Sequence, residues 1–160
     1  MLKAIVMGVA GSGKSSVGHA VAGRLGAHYF DGDDLHPQSN IEKMAAGTPL
    51  DDSDRAPWLD KVGAALMQAG GPTLIGCSAL KRSYRDRIRA ACPQARFVHL
   101  IGNRAVIEAR MSARTGHFMP VSLLDSQFAT LEPLQADEAG FAIDIAQDFD
   151  AVVQQVVACF

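Results

Sequence analysis

The run Gly8-Val9-Ala10-Gly11-Ser12-Gly13-Lys14-Ser15, followed by Ser16, fits the spacing G-x-x-x-x-G-K-[ST] in full. Glycines at these positions let the backbone curl until several N–H groups face one anion. A helix opening behind them would add roughly half a positive charge at the same spot. Lys14 would then reach the outer phosphates of a bound nucleoside triphosphate, and the Ser15 hydroxyl would ligate Mg²⁺. The plain alternative is a Gly-rich strand-to-helix turn with a surface lysine, and the complete pattern in its strand-to-helix context argues against it. No Asn-Lys-x-Asp stretch speaks for a GTPase, and no long apolar strand ends in Asp-Glu as in a motor ATPase. A small-molecule kinase fits this length better.

A kinase also needs carboxylates, one to help hold the metal and one to orient the attacking hydroxyl. Asp31-Gly32-Asp33-Asp34 closes a short apolar stretch, and strand alternation would set Asp31 and Asp33 on one side, near the phosphate loop. Asp33 is assigned to the acceptor hydroxyl and Asp31 to the outer shell of the metal. An Asx-type turn capping the next helix is the competing reading of the same residues.

These groups need a scaffold, and the chain alternates short apolar runs with helical spacing. Lys3–Met7, a run ending at Tyr29-Phe30, Thr73–Cys77, Arg96–Ile101 and Phe141–Ile145 read as strands. Between them, Val17, Val21 and Leu25 recur every four residues, and Trp58, Leu59, Val62, Ala65 and Leu66 form an apolar stripe. Phe149, Val152, Val153, Val156 and Val157 match the helix template fully. The expected fold is α/β: a three-layer P-loop NTPase of the nucleoside- and shikimate-kinase-like kind, with a five-stranded parallel sheet and helices on both faces. Residues 1–160 read as a single kinase domain with irregular excursions at about 33–60 and 114–135. Both would emerge beyond the strand C-termini, where such sheets bind ligands.

The chain has 160 residues, 48% of them apolar, and a formal net charge of −2. That balance excludes a protein built to coat nucleic acid. No apolar run approaches the ~20 residues of a membrane span, and no secretory signal is evident. Cys77, Cys92 and Cys159 lack metal-ligand spacing, so reduced thiols in a cytoplasm are expected. The charge is nevertheless segregated: +3 over 1–30, −6 over 31–60, +1 over 61–80, +7 over 81–114 and −7 over 115–160. The final block has no evident role in the sequence.

Further motifs follow in order: Asp31-Gly-Asp-Asp-Leu-His-Pro37, Asn40-Ile-Glu-Lys-Met44, Gly47-Thr-Pro-Leu50, Pro57-Trp58-Leu59, Cys77-Ser-Ala-Leu-Lys81 and Tyr84-Arg-Asp86. Gly116-His-Phe118, Gln127-Phe128 and Leu131-Glu132 complete the series. Together they resemble the gluconokinase family, in the group of small P-loop kinases that includes shikimate and nucleoside monophosphate kinases. The resemblance covers essentially the whole chain. It implies transfer of the ATP γ-phosphate to the 6-hydroxyl of D-gluconate, with Mg²⁺, in a cytoplasmic enzyme. Relatives are commonly dimers, so it also points to a homodimer, which the residues do not decide.

Gluconate is a polyol with a carboxylate, so its site needs hydrogen-bonding groups and a cation. His36, Lys43 and Arg55 come from the first excursion; Ser78, Lys81 and Arg82 come from the end of the third strand. Arg55 and Lys81 lead as carboxylate partners. His36 reads equally well as a turn residue, Lys43 as a solvated charge, and Trp58 better as core than as a stacking platform. Arg110 and Arg114, at i and i+4, read as lid arginines that clamp the transferring phosphate, with a lid over about 114–122. The resemblance places adenine near Asp144-Ile-Ala-Gln147, so Gln147 is named there. The rivals are a kinase for another sugar acid or shikimate, and a non-catalytic nucleotide-binding regulator. Nucleic acid and membrane are not expected partners.

Overall fold

Alternation along Lys3–Met7 (β1) sends Ala4 and Val6 to one side and Ile5 and Met7 to the other, and all five residues of the strand are buried. A strand covered on both faces must lie inside a sheet. The computed structural model describes residues 1–112 and 121–160. After β1 come α1 (Lys14–Leu25), β2 (His28–Asp31), a 3-10 turn (Gly32–Leu35), α2 (Gln38–Ala45), α3 (Asp52–Gln68) and β3 (Thr73–Gly76). Then follow α4 (Arg82–Ala91), β4 (Arg96–Ile101), α5 (Arg104–Ser112), α6 (Val121–Thr130), β5 (Gly140–Asp144) and α7 (Phe149–Ala158).

All strand pairs are parallel, and the order is β2-β3-β1-β4-β5. Val17 and Val21 of α1 and Val152, Val153 and Val156 of α7 bury one face with Ala4, Val6, Leu74, Val98 and Leu100. Trp58, Leu59, Val62 and Leu66 of α3 and Ile88 of α4 bury the other with Ile5, Met7, Ile75 and Phe97. Each fully buried aliphatic side chain contributes about 1.5–3 kcal/mol. The expected three-layer fold is what the chain adopts.

Two local readings change. Asp31 ends β2, and the backbone then turns into the 3-10 helix, so strand alternation does not orient Asp33. The excursions are also more regular than expected. α3 begins six residues before its apolar stripe because Asp51 and Asp54 form a capping box: Asp51 Oδ1 accepts the Asp54 N–H at 2.7 Å, and Asp54 Oδ2 accepts the Asp51 N–H at 3.0 Å. Within 114–135, residues 121–130 are helical.

Candidate active site

The phosphate loop joins β1 to α1. Gly13 caps α1 at φ 93°, a left-handed conformation that a Cβ would strain, and it leaves the first helical N–H groups facing outward. Lys14 Nζ folds across the loop, donating to the carbonyls of Gly8 at 3.1 Å and Val9 at 3.0 Å. The Gly8 N–H donates to the Ser78 carbonyl at 3.3 Å, tying the loop to the segment after β3. Lys14, Ser15, Asp31, Asp33, Ser78 and Gln127 share one cavity of about 260 Å³ with the loop backbone of Ala10, Gly11 and Gly13.

Asp31 does cap the turn, accepting the Asp33 N–H at 2.9 Å. The cap and the site are compatible, because that bond fixes Asp33 at the cavity while the second Asp31 oxygen stays available. Much of the Asp33 side chain is open to solvent, 78% by area, yet it sits in a concavity. Partial desolvation there, reinforced by the Asp31 charge, raises its pKa above the ordinary carboxylate range; His36 and Lys14 oppose the shift.

His36 stacks on Trp58, with ring centroids 4.1 Å apart and planes at 16°. Asn40 Nδ2 lies 3.2 Å from His36 Nδ1, so in the neutral ring Nδ1 accepts and Nε2 bears the proton. That Nε2 faces Asp33 Oδ1 at 3.8 Å. Burial lowers the His36 pKa, with Arg55 adding to the effect and Asp33 opposing it. Trp58 is core, donating through Nε1 to the Gly32 carbonyl at 2.8 Å.

A second, smaller cavity of about 120 Å³ adjoins the first through Ser78 and Gln127, and Arg55, Trp58 and Tyr84 also line it. Beside it Asp52 gathers two cations, Lys81 Nζ at 3.3 Å and Arg55 Nη1 at 3.9 Å, and accepts a hydrogen bond from the Tyr84 hydroxyl at 2.6 Å. Hydrogen bonds from Tyr84 and Lys81 lower the Asp52 pKa. Arg55 and Lys81 are therefore both drawn to Asp52, and of the two only Arg55 lines the cavity.

Two expected substrate contacts go elsewhere. Lys43 Nζ binds both oxygens of Asp54 at 2.9 Å, joining α2 to the start of α3. Arg82 grips Asp137 with two bonds of 2.6 and 2.9 Å and reaches Gln135 at 3.0 Å. Like His36 and Lys81, neither lines either cavity. Both were plausible from their positions, but carboxylates distant in sequence claim them.

Arg110 Nη2 donates to the Ile145 carbonyl at 2.5 Å, and its Nη1 lies 3.6 Å from where a Cβ on Gly13 would stand. It thus spans the phosphate loop and the turn that carries Gln147. Gln147 itself donates to the Asp144 carbonyl at 2.6 Å and exchanges hydrogen bonds with Gln155. Arg114, His117 and Phe118, with the rest of 114–120 in the expected lid at about 114–122, lie outside the described residues.

Tyr29 was given no role from sequence. Its ring lies against Gly18, and its hydroxyl passes so close to Gly76 that a Cβ there would stand 2.0 Å from it. It lines the phosphate cavity, where burial and the Asp31 charge push its pKa up to about 12. Gln127 appeared in a motif but was assigned nothing; its Oε1 accepts the Ala10 N–H of the phosphate loop at 2.6 Å.

Residues 4–134 match a family model described as an AAA domain. The chain is 49% identical to the thermosensitive gluconokinase of Escherichia coli strain K12, over 94% of this chain and 83% of that protein. It superposes with a TM-score of 0.90 on the crystal structure of a gluconokinase from Sinorhizobium meliloti, at 47% identity, covering 98% of this chain and 90% of the other. The chain belongs to the gluconokinase family. A shikimate kinase from Acinetobacter baumannii shares the fold at TM-score 0.66 and 19% identity, over 98% of this chain and 95% of that one. The family is one of kinases, and this member is an enzyme with a P-loop nucleotide site.

Proposed function

We propose that this gluconokinase-family enzyme transfers the γ-phosphoryl group of ATP to the 6-hydroxyl of D-gluconate, giving 6-phospho-D-gluconate and ADP. The observation that carries the reading is the junction of two cavities at Ser78 and Gln127, one lined by the phosphate loop and Asp33, the other bearing Arg55. An anionic polyol in the second cavity finds a cation and hydroxyl partners there, and its terminal hydroxyl reaches the first.

Asp33 orients that hydroxyl and takes its proton as the O–P bond forms and the bond to the β-phosphate oxygen breaks. Its raised proton affinity suits a group that receives a proton late. Lys14 leaves its loop carbonyls to neutralise the outer phosphates, and the first N–H groups of α1 hold the others. Arg55, with Lys81 beside it, receives the carboxylate of the acceptor. Arg110, reaching over the loop from α5, spreads the charge of the transferring group together with Arg114.

The donors facing the phosphate cavity, the Ser15 hydroxyl and the Asp31 carboxylate, are hard oxygen ligands of the kind Mg²⁺ accepts alongside water and phosphate. Bound there, Mg²⁺ would offset the phosphate charge. We read residues 1–160 as one kinase domain of gluconate catabolism, cytoplasmic and without nucleic-acid or membrane partners, with a homodimer left open. Among the described residues no helix is long and apolar enough to cross a membrane.

ADP release over a panel of sugar acids, neutral sugars, shikimate and nucleoside monophosphates tests the substrate. Turnover concentrated on gluconate is expected. Activity confined to shikimate or a nucleotide would sink the assignment, and ATP binding with no acceptor at all would mark a regulator.

A further inference from the structure

The acceptor cavity has a wall that the transfer mechanism above leaves unused. Leu123, Ser126, Gln127 and Thr130 of α6 line it at i, i+3, i+4 and i+7, so a single helix face looks into the cavity. That face carries no charge, whereas Arg55 stands among the other lining residues. The Thr130 hydroxyl already donates to the Ser126 carbonyl at 2.8 Å.

Gln127 differs from its neighbours because it also lines the phosphate cavity. Chemistry fixes the orientation of its carboxamide. A backbone N–H can only donate, so the atom 2.6 Å from the Ala10 nitrogen is oxygen. The NH₂ group is thereby turned away from Ala10, leaving two donors at the junction of the cavities. The far end of α6 is anchored as well: the Glu132 N–H donates to the Leu80 carbonyl at 2.7 Å, and Glu132 Oε1 accepts the Arg82 N–H at 2.9 Å.

We propose that Gln127 is a specificity-determining residue, whose carboxamide oxygen ties α6 to the phosphate loop while its NH₂ group donates to an oxygen of the polyol acid. One side chain then sets the acceptor in register with the loop that holds the phosphates. The inference rests on reading the smaller cavity as the acceptor site.

Steady-state kinetics of Gln127→Glu and Gln127→Met test it. Glutamate keeps an oxygen for the Ala10 N–H but has no donor; methionine is neutral, of similar length, and has neither. Losing a donor to a bound hydroxyl raises KM by roughly 2- to 12-fold. The KM for gluconate is expected to rise by that order in both variants. The KM for ATP is expected to rise less than the KM for gluconate in both variants, through the charge added beside the phosphates in Gln127→Glu and through the lost loop tether in Gln127→Met. An unchanged gluconate KM in Gln127→Glu overturns the proposal. So does an equal rise for both substrates in Gln127→Met, which would leave Gln127 a loop anchor only. A rise in Gln127→Glu that is absent in Gln127→Met would reflect charge repulsion and overturns it too. A wild-type enzyme that ignores gluconate but uses another polyol acid overturns the substrate reading, and the same KM pattern on that acid still decides Gln127.

Discussion

Asp33 owes its place to Asp31. The 2.9 Å bond from the Asp33 N–H to the Asp31 carboxylate turns the chain out of β2 just where the cavity begins. Of the competing sequence readings the Asx cap is the one seen at Asp31, and the proposed metal-side role falls to its second oxygen. Asp33→Asn keeps the size of the side chain and the backbone N–H that Asp31 binds, so the turn and the phosphate loop should stand. Nucleotide affinity, measured by titration, is expected to remain within about 2-fold, while phosphoryl transfer falls by roughly 10²–10⁴-fold, the range for a lost general base. Wild-type turnover in this variant would place the proton acceptor elsewhere.

At the scale of elements, the strands and the helices with buried stripes were legible because burial on one or both faces writes itself into apolar periodicity. Three features were not. The 3-10 turn is set by a side-chain cap rather than by periodicity. α6 buries only Leu124 among its residues described at side-chain level, so its helical stripe is faint. Lys43 and Arg82 have partners 11 and 55 residues away, a pairing that no local pattern encodes. The start of α3 is a fourth case, since Asp51 and Asp54 enter the sequence reading only within the net −6 of residues 31–60 and not as a capping box. Asp51→Ala removes the acceptor for the Asp54 N–H and should cost about 1 kcal/mol of stability in chemical denaturation. Because α3 carries Arg55 and Trp58, the KM for gluconate should rise more than the KM for ATP. Equal effects on both would mean that α3 serves the fold but not the acceptor cavity.

Across the whole molecule, part of the acidic C-terminal block serves as counter-charge to the basic block before it. Asp125 pairs with Arg104, Asp137 with Arg82, and Glu138 with both Arg85 and Arg89. The last of these is fully buried at both Arg85 and Glu138, and it reaches the site. Arg85 Nη1 also donates to the carbonyls of Ala79 at 2.9 Å and Leu80 at 3.3 Å, holding Ala79 at φ 44° in the segment that presents Ser78. Burial alone would raise the Glu138 pKa, but hydrogen bonds from Arg85, the Gln135 N–H and Arg89 together bring it down to about 2. A carboxylate lowered on folding stabilises the folded state above its unfolded pKa, and that stability is lost as pH falls toward the folded value. The melting temperature should therefore drop between about pH 4.5 and pH 2. Glu138→Gln strands the Arg85 guanidinium without its counter-charge, so about 3–5 kcal/mol should be lost at pH 7. The same variant should show a shallower acid decline, because the proton that wild type must take up has no carboxylate to bind. Thermal melts of both proteins from pH 7 to pH 3 decide it: parallel acid slopes would mean that other carboxylates, not Glu138, set the acid limit of the fold.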